Sequence, residues 1–409
     1  MRAFALRRFT GCELPELPFM DLLYEQYAEV RERTPIHLVE AAGGKRYCLY
    51  RYADVAAALK DPRFGAAPAP SGVLRALRLV GLGALANAVG TGFLVALNPP
   101  DHTRLRRVLE PFFSLSAMEP MQARVHAIAD ELLDRARGAD EFDLIAGLAA
   151  PLPVRMIAEL FGFPPEDFAP LKQWSDDMAP LVDSDLQRSA PVSRLISFLR
   201  FRRRVLQLIE LRRREPRADL LSALAQAHFV SGELSKDEVV GVVVFVLTAG
   251  HATTTHLIGS CALLLLNHPR ELERLREDPS LVDRATEETL RVESPIQRTG
   301  RVLREDVELH GQHMPRGAKV RLMIGAANRD PRRFEDPDRF DLLRRDSNRH
   351  LAFGMGIHHC IGLHLARLET RAAIGALVRR FPKMALTSRA PRWTTGAKLR
   401  GLSELVVSV

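Results

Sequence analysis

The chain is poor in cysteine, and the cysteines it has are scattered. Its 409 residues include only four, Cys12, Cys48, Cys261 and Cys360, and no two of them form a C-x-x-C pair. A disulfide scaffold and a structural zinc site both need paired or clustered cysteines. Neither is therefore indicated, and any functional cysteine must act alone.

Long hydrophobic runs are also missing. The longest apolar stretches, residues 239–250 and 257–266, fall short of the roughly 18 residues of a membrane span. The first ten residues place three arginines around short apolar pieces, without the uninterrupted core of a secretory signal. We therefore expect a cytoplasmic protein with no membrane partner.

Composition and charge narrow the class further. Hydrophobic residues make up 46% and charged residues 26% of the chain, which is typical of a globular protein. The net charge of +8 comes without zinc-finger spacing, an RNP pattern or a convincing recognition helix, so we expect no nucleic-acid partner. A basic docking face for an acidic protein, or an acidic substrate, fits this charge. No repeat or linker interrupts the sequence, which predicts a single domain over residues 1–409.

Helical periodicity dominates the chain. Apolar residues at three- and four-residue spacing predict amphipathic helices around residues 103–113, 118–137, 192–214, 283–292 and 362–380. The capping-box pattern Ser235-Lys236-Asp237-Glu238 predicts a further helix to about Leu266, and because its centre is apolar on every side it should cross the interior. Strands are expected at residues 46–50, 300–309, 319–324 and 402–409. The predicted fold class is mainly α with small β-sheets.

Residues 65–98 differ from the rest of the chain. They are rich in Gly, Ala, Pro and Leu and carry few charges. Long connections of this kind are uncommon unless they form lids or binding loops. The segment is interpreted either as a substrate lid or as a loosely helical surface cover.

The strongest local pattern surrounds one cysteine. The run is Phe353-Gly354-Met355-Gly356-Ile357-His358-His359-Cys360-Ile361-Gly362, directly before a predicted helix. Glycines let backbone N–H groups turn toward the sulfur, and these groups and the helix N-terminus stabilise a thiolate. Such a thiolate is a strong axial ligand for haem iron. A buried inert cysteine would leave the glycine spacing unexplained, and two adjacent histidines do not match zinc-ligand spacing.

This loop resembles that of the bacterial soluble cytochromes P450, F-G-x-G-x-H-x-C-x-G, at every fixed position. The resemblance extends from about residue 20 to the end of the chain. It implies the cytochrome P450 fold, with haem b (iron protoporphyrin IX) between the long interior helix and the cysteine loop, and Cys360 as the metal ligand. It also implies the cofactor-binding residues Phe353, Gly354, Gly356, His358 and Gly362.

Two further segments carry the same resemblance. The string Asn98-Pro99-Pro100-Asp101-His102-Thr103-Arg104-Leu105-Arg106-Arg107 resembles the proline-led helix of the family. In that helix His102 and Arg106 would face the haem propionates, and Arg301 and His358 resemble further propionate partners. Cationic or hydrogen-bonding groups are what two buried carboxylates require.

A structural charge network is also expected. Glu288-Thr289-Leu290-Arg291 matches the E-x-x-R motif, and Glu288 and Arg291 share one helix face at i, i+3, which predicts an ion pair. Pro337-Asp338-Arg339-Phe340 resembles the segment that supplies the third member in this family. The resemblance therefore assigns Arg339 to the network.

The interior helix contains the string Ala249-Gly250-His251-Ala252-Thr253-Thr254, which resembles the oxygen-binding segment of the family. Ala249, Gly250 and Thr253 fall on one face and would give dioxygen room and one hydroxyl. A threonine within a helix can instead bond back to its own backbone. All five residues from 249 to 253 are candidate catalytic residues.

The position before the threonine departs from the family. It usually holds Asp or Glu, linked to proton delivery, and here it is Ala252. His251 is a candidate substitute, because imidazole titrates near neutrality. Relatives with a similar departure include P450s that carry out aryl coupling in indolocarbazole biosynthesis and nitric oxide reduction. The Gly-His-Ala-Thr string looks most like the former.

The resemblance implies a haem-thiolate oxidoreductase of specialised metabolism, such as antibiotic biosynthesis. Its small organic substrate is expected to be aromatic and carboxylate-bearing, with Arg298 meeting the carboxylate, and its reaction an oxidative coupling such as that of chromopyrrolic acid. Alternatives are an ordinary hydroxylating monooxygenase, a nitric oxide reductase-like P450 and a non-catalytic haem- or ligand-binding protein. Because no reductase domain fits in the chain, electrons from NAD(P)H should arrive through a ferredoxin and a ferredoxin reductase.

Overall fold

The structure is a computed structural model that describes residues 23–41, 44–67, 75, 78–79, 83–182, 192–394, 396 and 398–409. Its helices, numbered in chain order, are α1 Leu23–Arg33, α2 Tyr52–Lys60, α3 Gly83–Gly92, α4 Asp101–Leu109, α5 Leu115–Met118, α6 Gln122–Asp134, α7 Pro151–Phe161, α8 Phe168–Val182, α9 Val192–Arg214, α10 Leu220–Phe229, α11 Lys236–Asn267, α12 Pro269–Glu277, α13 Val282–Val292, α14 Ile324–Ala327 and α15 Leu363–Arg380. Short 3₁₀ turns and one π turn, Ile145–Ala149, connect some of them.

The strands are short. They are β1 Ile36–Ala41, β2 Gly44–Leu49, β3 Phe64–Ala66, β4 Glu141–Asp143, β5 Thr299–Leu303, β6 Val307–Leu309, β7 Gln312–Met314, β8 Lys319–Leu322, β9 Ala385–Leu386, β10 Arg392–Trp393, β11 Leu402–Glu404 and β12 Val406–Ser408. The prediction of a mainly α fold with small sheets is confirmed.

The chain forms two compact units that alternate along the sequence. The first comprises the described residues within 1–67, 267–360 and 393–401. The second comprises those within 68–266, 361–392 and 402–409. The expectation of one domain stays a prediction.

The first unit is built around a five-stranded sheet in the order β1-β2-β8-β5-β3. β1 and β2 form an antiparallel hairpin, β2 pairs in parallel with β8, and β5 runs antiparallel to both β8 and β3. Apolar side chains of these strands and of α2 form one buried cluster, which includes Leu49, Val55, Leu303 and Leu322.

The second unit is mainly helical and contains the longest helix, α11. The capping box that predicted its start is formed, because the Ser235 N–H donates to Glu238 Oε2 at 2.7 Å and the Glu238 N–H donates to Ser235 Oγ at 3.3 Å. By length and composition α11 is apolar enough to cross a membrane, but 78% of its most apolar 18-residue window is buried inside the protein. It is therefore the predicted interior helix.

Two predicted strands are each divided in two. The strand expected over 300–309 is interrupted by Arg304, Glu305 and Asp306, which are exposed at a bend between β5 and β6. The strand expected over 402–409 breaks at Leu405, because its N–H donates to the Asp143 carboxylate at 3.2 Å and its carbonyl accepts from the Leu144 N–H at 2.9 Å.

The connection expected over 65–98 contains a helix. α3 lies so close to α11 that a Cβ added at Gly92 would collide with the Gly241 backbone. This favours a helical cover for residues 83–92. Most of residues 68–82 lie outside the described residues, and so does the proposed lid there.

Candidate active site

The cysteine loop lies in the first unit and has the tight geometry that its glycines predict. The Cys360 N–H donates to the Phe353 carbonyl at 2.8 Å. Gly354 and Gly356 have left-handed backbones, with φ of 67° and 69°, and a Cβ on Gly356 would lie 2.6 Å from the Leu59 carbonyl oxygen. Only glycine fits such a position without strain. Cys360 is partly exposed, and α15 begins three residues later in the sequence.

The base of the loop is tied to the unit's buried polar network. The Leu351 N–H donates to Asn328 Oδ1 at 2.7 Å, and Asn328 Nδ2 donates to Ser294 Oγ at 2.7 Å. Arg291 Nη1 donates to the Asn328 carbonyl at 3.1 Å. The E-x-x-R arginine and the cysteine loop therefore share one hydrogen-bonded support.

The charge network forms, but its third side chain is not the expected one. Arg291 makes two hydrogen bonds of 2.8 Å to the Glu288 carboxylate, and both side chains are completely buried. Arg344, rather than Arg339, completes the network, with its Nε 3.0 Å from Glu288 Oε1. The Arg339 side chain is 61% exposed and lies 3.5 Å from Asp341. Arg339 contributes only its carbonyl, which accepts from Arg291 Nη2 at 2.9 Å, so the side-chain assignment is wrong.

Arg301 gives a test of whether this unit fits a haem. Its guanidinium is buried and donates to Thr299 Oγ1 at 3.2 Å and to the Gly300 carbonyl at 2.8 Å. Burial lowers the pKa of Arg301 to about 10, and no carboxylate among the described residues pairs with it. A buried cation without a counter-charge is costly, and the propionates of haem would supply one. The residues present therefore fit the cofactor.

The loop's exposure agrees with this fit. Every residue from 352 to 364 is at least partly exposed, although the segment is largely apolar and glycine-rich. His358 lies within it. In the second unit, α4 carries His102, which is 2% exposed, and Arg106 one turn later. Burial, and then the charge of Arg106, lower the pKa of His102, which favours a neutral imidazole able to donate a hydrogen bond.

The interior helix exposes one short face. Between residues 241 and 263 only Phe245, Ala249, Gly250, Ala252 and Thr253 are partly exposed, and all the others are buried. Phe245, Ala249, Ala252 and Thr253 follow helical spacing, so they form one partly exposed face, called the open face below. Three of the five predicted catalytic residues, Ala249, Ala252 and Thr253, therefore lie together, whereas Gly250 packs against Ile157. The Thr253 hydroxyl donates to the Ala249 carbonyl at 2.7 Å, which is the back-bonded alternative.

His251 is the fifth residue, and it points elsewhere. It is 5% exposed, its Nδ1 lies 2.8 Å from Ser175 Oγ, and it also bonds to the backbone of Ala150. Two residues along a helix turn the side chain by about 200°, away from the face of Ala249 and Thr253. Burial lowers the pKa of His251 to about 4, although the charge of Asp176 opposes this. The geometry therefore makes His251 a packing residue and does not support its predicted proton-donating role.

Arg298, the predicted substrate-carboxylate residue, is buried. It is 6% exposed, and its positive charge acts on the hydroxyls of Tyr27 and Tyr50. Burial raises the pKa of Tyr27 to about 12, and Arg298 opposes that rise. Arg298 is therefore a buried cation near Tyr27 and Tyr50, and its predicted contact with a substrate carboxylate stays a prediction.

Three buried polar residues were not predicted from the sequence. His256 and Ser260 on α11 are 7% and 1% exposed, and neither His256 Nδ1 nor Ser260 Oγ has a hydrogen-bond partner among the described residues. Glu369 on α15 is 1% exposed, its Oε1 lacks a partner there, and burial raises its pKa well above the usual range. For each of these three residues, the only indication in the sequence is a polar side chain at a helix position where an apolar one is expected.

No group of three or more His, Cys, Asp or Glu side chains that could hold a metal ion occurs in the described part of the chain. The three cysteines in that part, Cys48, Cys261 and Cys360, form no disulfide, and Cys12 lies outside it.

Comparisons with known proteins agree with this site. Residues 192–392 match the family model "Cytochrome P450". The chain is 38% identical over 410 residues to cytochrome P450 107B1 of Saccharopolyspora erythraea, covering 97% of this chain and 99% of that protein. It is 36% identical over 397 residues to 6-deoxyerythronolide B hydroxylase of the same organism, covering 94% and 95%.

A solved structure extends the comparison. The cytochrome P450 enzyme CxnD for C–S bond formation in chuangxinmycin biosynthesis has a TM-score of 0.82 and 31% sequence identity, covering 94% of this chain and 93% of that one. The chain thus resembles both a hydroxylase and an enzyme for C–S bond formation.

Proposed function

The chain belongs to the cytochrome P450 family, and on that premise we propose that it joins or dehydrogenates a small, electron-rich aromatic substrate without inserting oxygen. The observation that carries the proposal is the open face of α11. Ala252 occupies the position of the family's acid, and His251 faces the opposite side. Thr253 is the only polar side chain among the four residues of that face.

The proposed reaction differs from hydroxylation in which product receives the oxygen atoms of dioxygen. Haem, when bound, supplies the iron centre at which dioxygen is reduced. In the coupling reaction the substrate loses two hydrogen atoms as a new bond forms, two electrons come from NAD(P)H, and both oxygen atoms leave as water. In hydroxylation one oxygen atom stays in the product. The protein's own residues hold the cofactor, and Thr253 supplies the one hydroxyl group of the open face.

Similar proteins support both outcomes. CxnD is described as an enzyme for C–S bond formation, which favours a bond-forming oxidation. The 6-deoxyerythronolide B hydroxylase and the retained Thr253 favour ordinary hydroxylation as the second candidate. A substrate of bacterial specialised metabolism suits either reaction.

Electron supply is part of the proposal. We expect a ferredoxin and its reductase to deliver electrons in the cytoplasm, and the net charge of +8 suits an acidic partner. Rapid reduction by NADH alone would instead support the nitric oxide reductase-like alternative. A protein that binds haem but never consumes NAD(P)H would support the non-catalytic one.

The test needs a substrate and an isotope label. Electron-rich aromatic acids and indoles are screened for a spin-state shift of the haem, and each binder is turned over under ¹⁸O₂ with ferredoxin and reductase. The proposal expects a product two hydrogen atoms lighter per bond formed, with the label only in water. A main product heavier by one ¹⁸O atom would refute it and return the enzyme to hydroxylation.

Restoring the acid supplies a second test. If proton delivery is already adequate, Ala252→Glu and Ala252→Asp should leave turnover unchanged or lower it. If the enzyme is only a weakened monooxygenase, a positioned general acid should raise product per electron by about 10²-fold or more. Ala249→Ser, on the same face, controls for added polarity without an acid.

A further inference from the structure

A polar stripe runs along the interior of α11. Thr253, His256 and Ser260 follow one another at intervals of three and four residues, so they share one helix face. His256 and Ser260 are more than nine-tenths buried. Both His256 Nδ1 and Ser260 Oγ lack a hydrogen-bond partner in the part of the chain that the structure describes.

Ser260 differs from three threonines of this helix. Thr248, Thr253 and Thr255 each donate to the carbonyl four residues earlier, at 2.8, 2.7 and 2.9 Å. Ser260 makes no such bond. Buried polar atoms in folded proteins nearly always have a partner, and an internal water is the usual one when protein atoms do not serve. An imidazole nitrogen and a hydroxyl one helical turn apart can share such a water.

The stripe leads toward the open face. Helical side chains lean toward the N-terminus of their helix, so the His256 imidazole covers the turn that contains Ala252 and Thr253. Side chains three or four residues apart have Cβ atoms about 5–6 Å apart, which one water can bridge. The polar stripe therefore passes the position where the family's carboxylate is missing.

We propose that His256 and Ser260 hold an internal water, and that this water and the imidazole form a proton path to the Thr253 hydroxyl in place of an acid at 252. The proposal rests on the P450 activity described above, but it holds for coupling and hydroxylation alike. Burial, and then the charge of His251, lower the pKa of His256 to about 4. A neutral imidazole has one donor and one acceptor nitrogen, so it can accept a proton on one side and release one on the other.

The first experiment looks for the water directly. A high-resolution crystal structure of the haem-loaded enzyme should show a water within hydrogen-bond distance of both His256 Nδ1 and Ser260 Oγ. The Ser260→Ala structure should lose it or show it displaced. A dry site in the wild-type protein, or direct contact of both atoms with other protein groups, would overturn the proposal.

The second experiment measures coupling, as product formed per NAD(P)H consumed, together with the solvent deuterium isotope effect. We expect His256→Phe to lower this ratio about tenfold or more, as loss of a proton-transfer group does, and to change the isotope effect. Ser260→Ala should lower it less, because the imidazole remains. His256→Gln should restore part of the ratio, since an amide still binds water.

The control is Thr255→Val, a buried change on the same helix but off the stripe. It should leave the ratio unchanged, and the reduced carbon monoxide spectrum verifies haem ligation in every variant. If His256→Phe does not fold, the coupling ratios of Ser260→Ala and His256→Gln still test the proton path. A bound water with unchanged coupling in these variants would overturn the proton path. The ¹⁸O label in the product separately decides the proposed function.

Discussion

Arg344, and not Arg339, should stabilise the support of the cysteine loop. Arg344→Met removes a charged hydrogen bond to the buried Glu288 carboxylate and two donations, to the Glu335 and Asp336 carbonyls at 2.7 and 2.9 Å. A hydrogen bond to a charged group contributes about 1.5–3 kcal/mol to stability. Each of the exposed hydrogen bonds to a backbone carbonyl contributes less. Because Arg291 still neutralises Glu288, we expect a loss of about 3 kcal/mol in the free energy of unfolding.

Arg339→Met is the matched comparison. Its side chain is 61% exposed, and the carbonyl that it contributes to Arg291 survives the substitution. An exposed ion pair of this kind is worth below about 0.5 kcal/mol. Glu288→Gln sets the upper limit, because it leaves the buried charge of Arg291 uncompensated, at a cost of about 3–5 kcal/mol.

The assay is guanidinium chloride unfolding of the haem-loaded enzyme, followed by both circular dichroism and the reduced carbon monoxide band. The expected order of midpoints is wild type, then Arg339→Met, then Arg344→Met, then Glu288→Gln. Since Asn328 links this network to Leu351, the thiolate band of Arg344→Met should disappear before the helical signal does. A loss in Arg339→Met equal to that in Arg344→Met would refute the reasoning.

Three further predictions concern the cofactor, a buried acid and the partner. Cys360→Ser should abolish the reduced carbon monoxide band that names the family, and a normal band would remove Cys360 as the ligand. Burial raises the pKa of Glu369, so the stability that this side chain contributes should be greatest below the unfolded pKa, about 4.3, and should fall as the pH rises toward the folded pKa. Glu369→Gln should abolish this fall, and parallel melting curves of the two proteins from pH 5 to 9 would contradict it. Reduction by ferredoxin should slow as salt rises, because exposed charges are screened over roughly 8 Å at physiological ionic strength, and a salt-independent rate would argue against a charged docking face.

Features set by local sequence were predictable. The capping box fixes the start of α11, and the periodicity of α9 matches the observed helix Val192–Arg214. The glycines of the cysteine loop predict a left-handed backbone conformation that other residues rarely adopt. These features depend on neighbours within a few positions, so the order of residues is enough to infer them.

Features set by tertiary packing were not. Arg339 and Arg344 are five residues apart in one irregular segment, and only the path of that segment decides which guanidinium reaches Glu288. Arg298 directly precedes β5, and its burial depends on elements distant in the sequence. The orientation of His251 is an intermediate case, since helical geometry alone places it opposite Ala249 and Thr253.

The alternation of the two units along the chain has a consequence for biosynthesis. β2 pairs with β8, and Tyr47 lies opposite Val320. The first sheet therefore cannot form completely until more than three quarters of the chain has been synthesised. In the second unit β4 pairs with β12, and Phe142 lies opposite Val407. Such distant pairings slow folding and leave strand edges exposed during translation. A nascent chain released before Val406–Ser408 would lack the strand that joins β4 to β9, so fragments cut between the units should aggregate rather than fold.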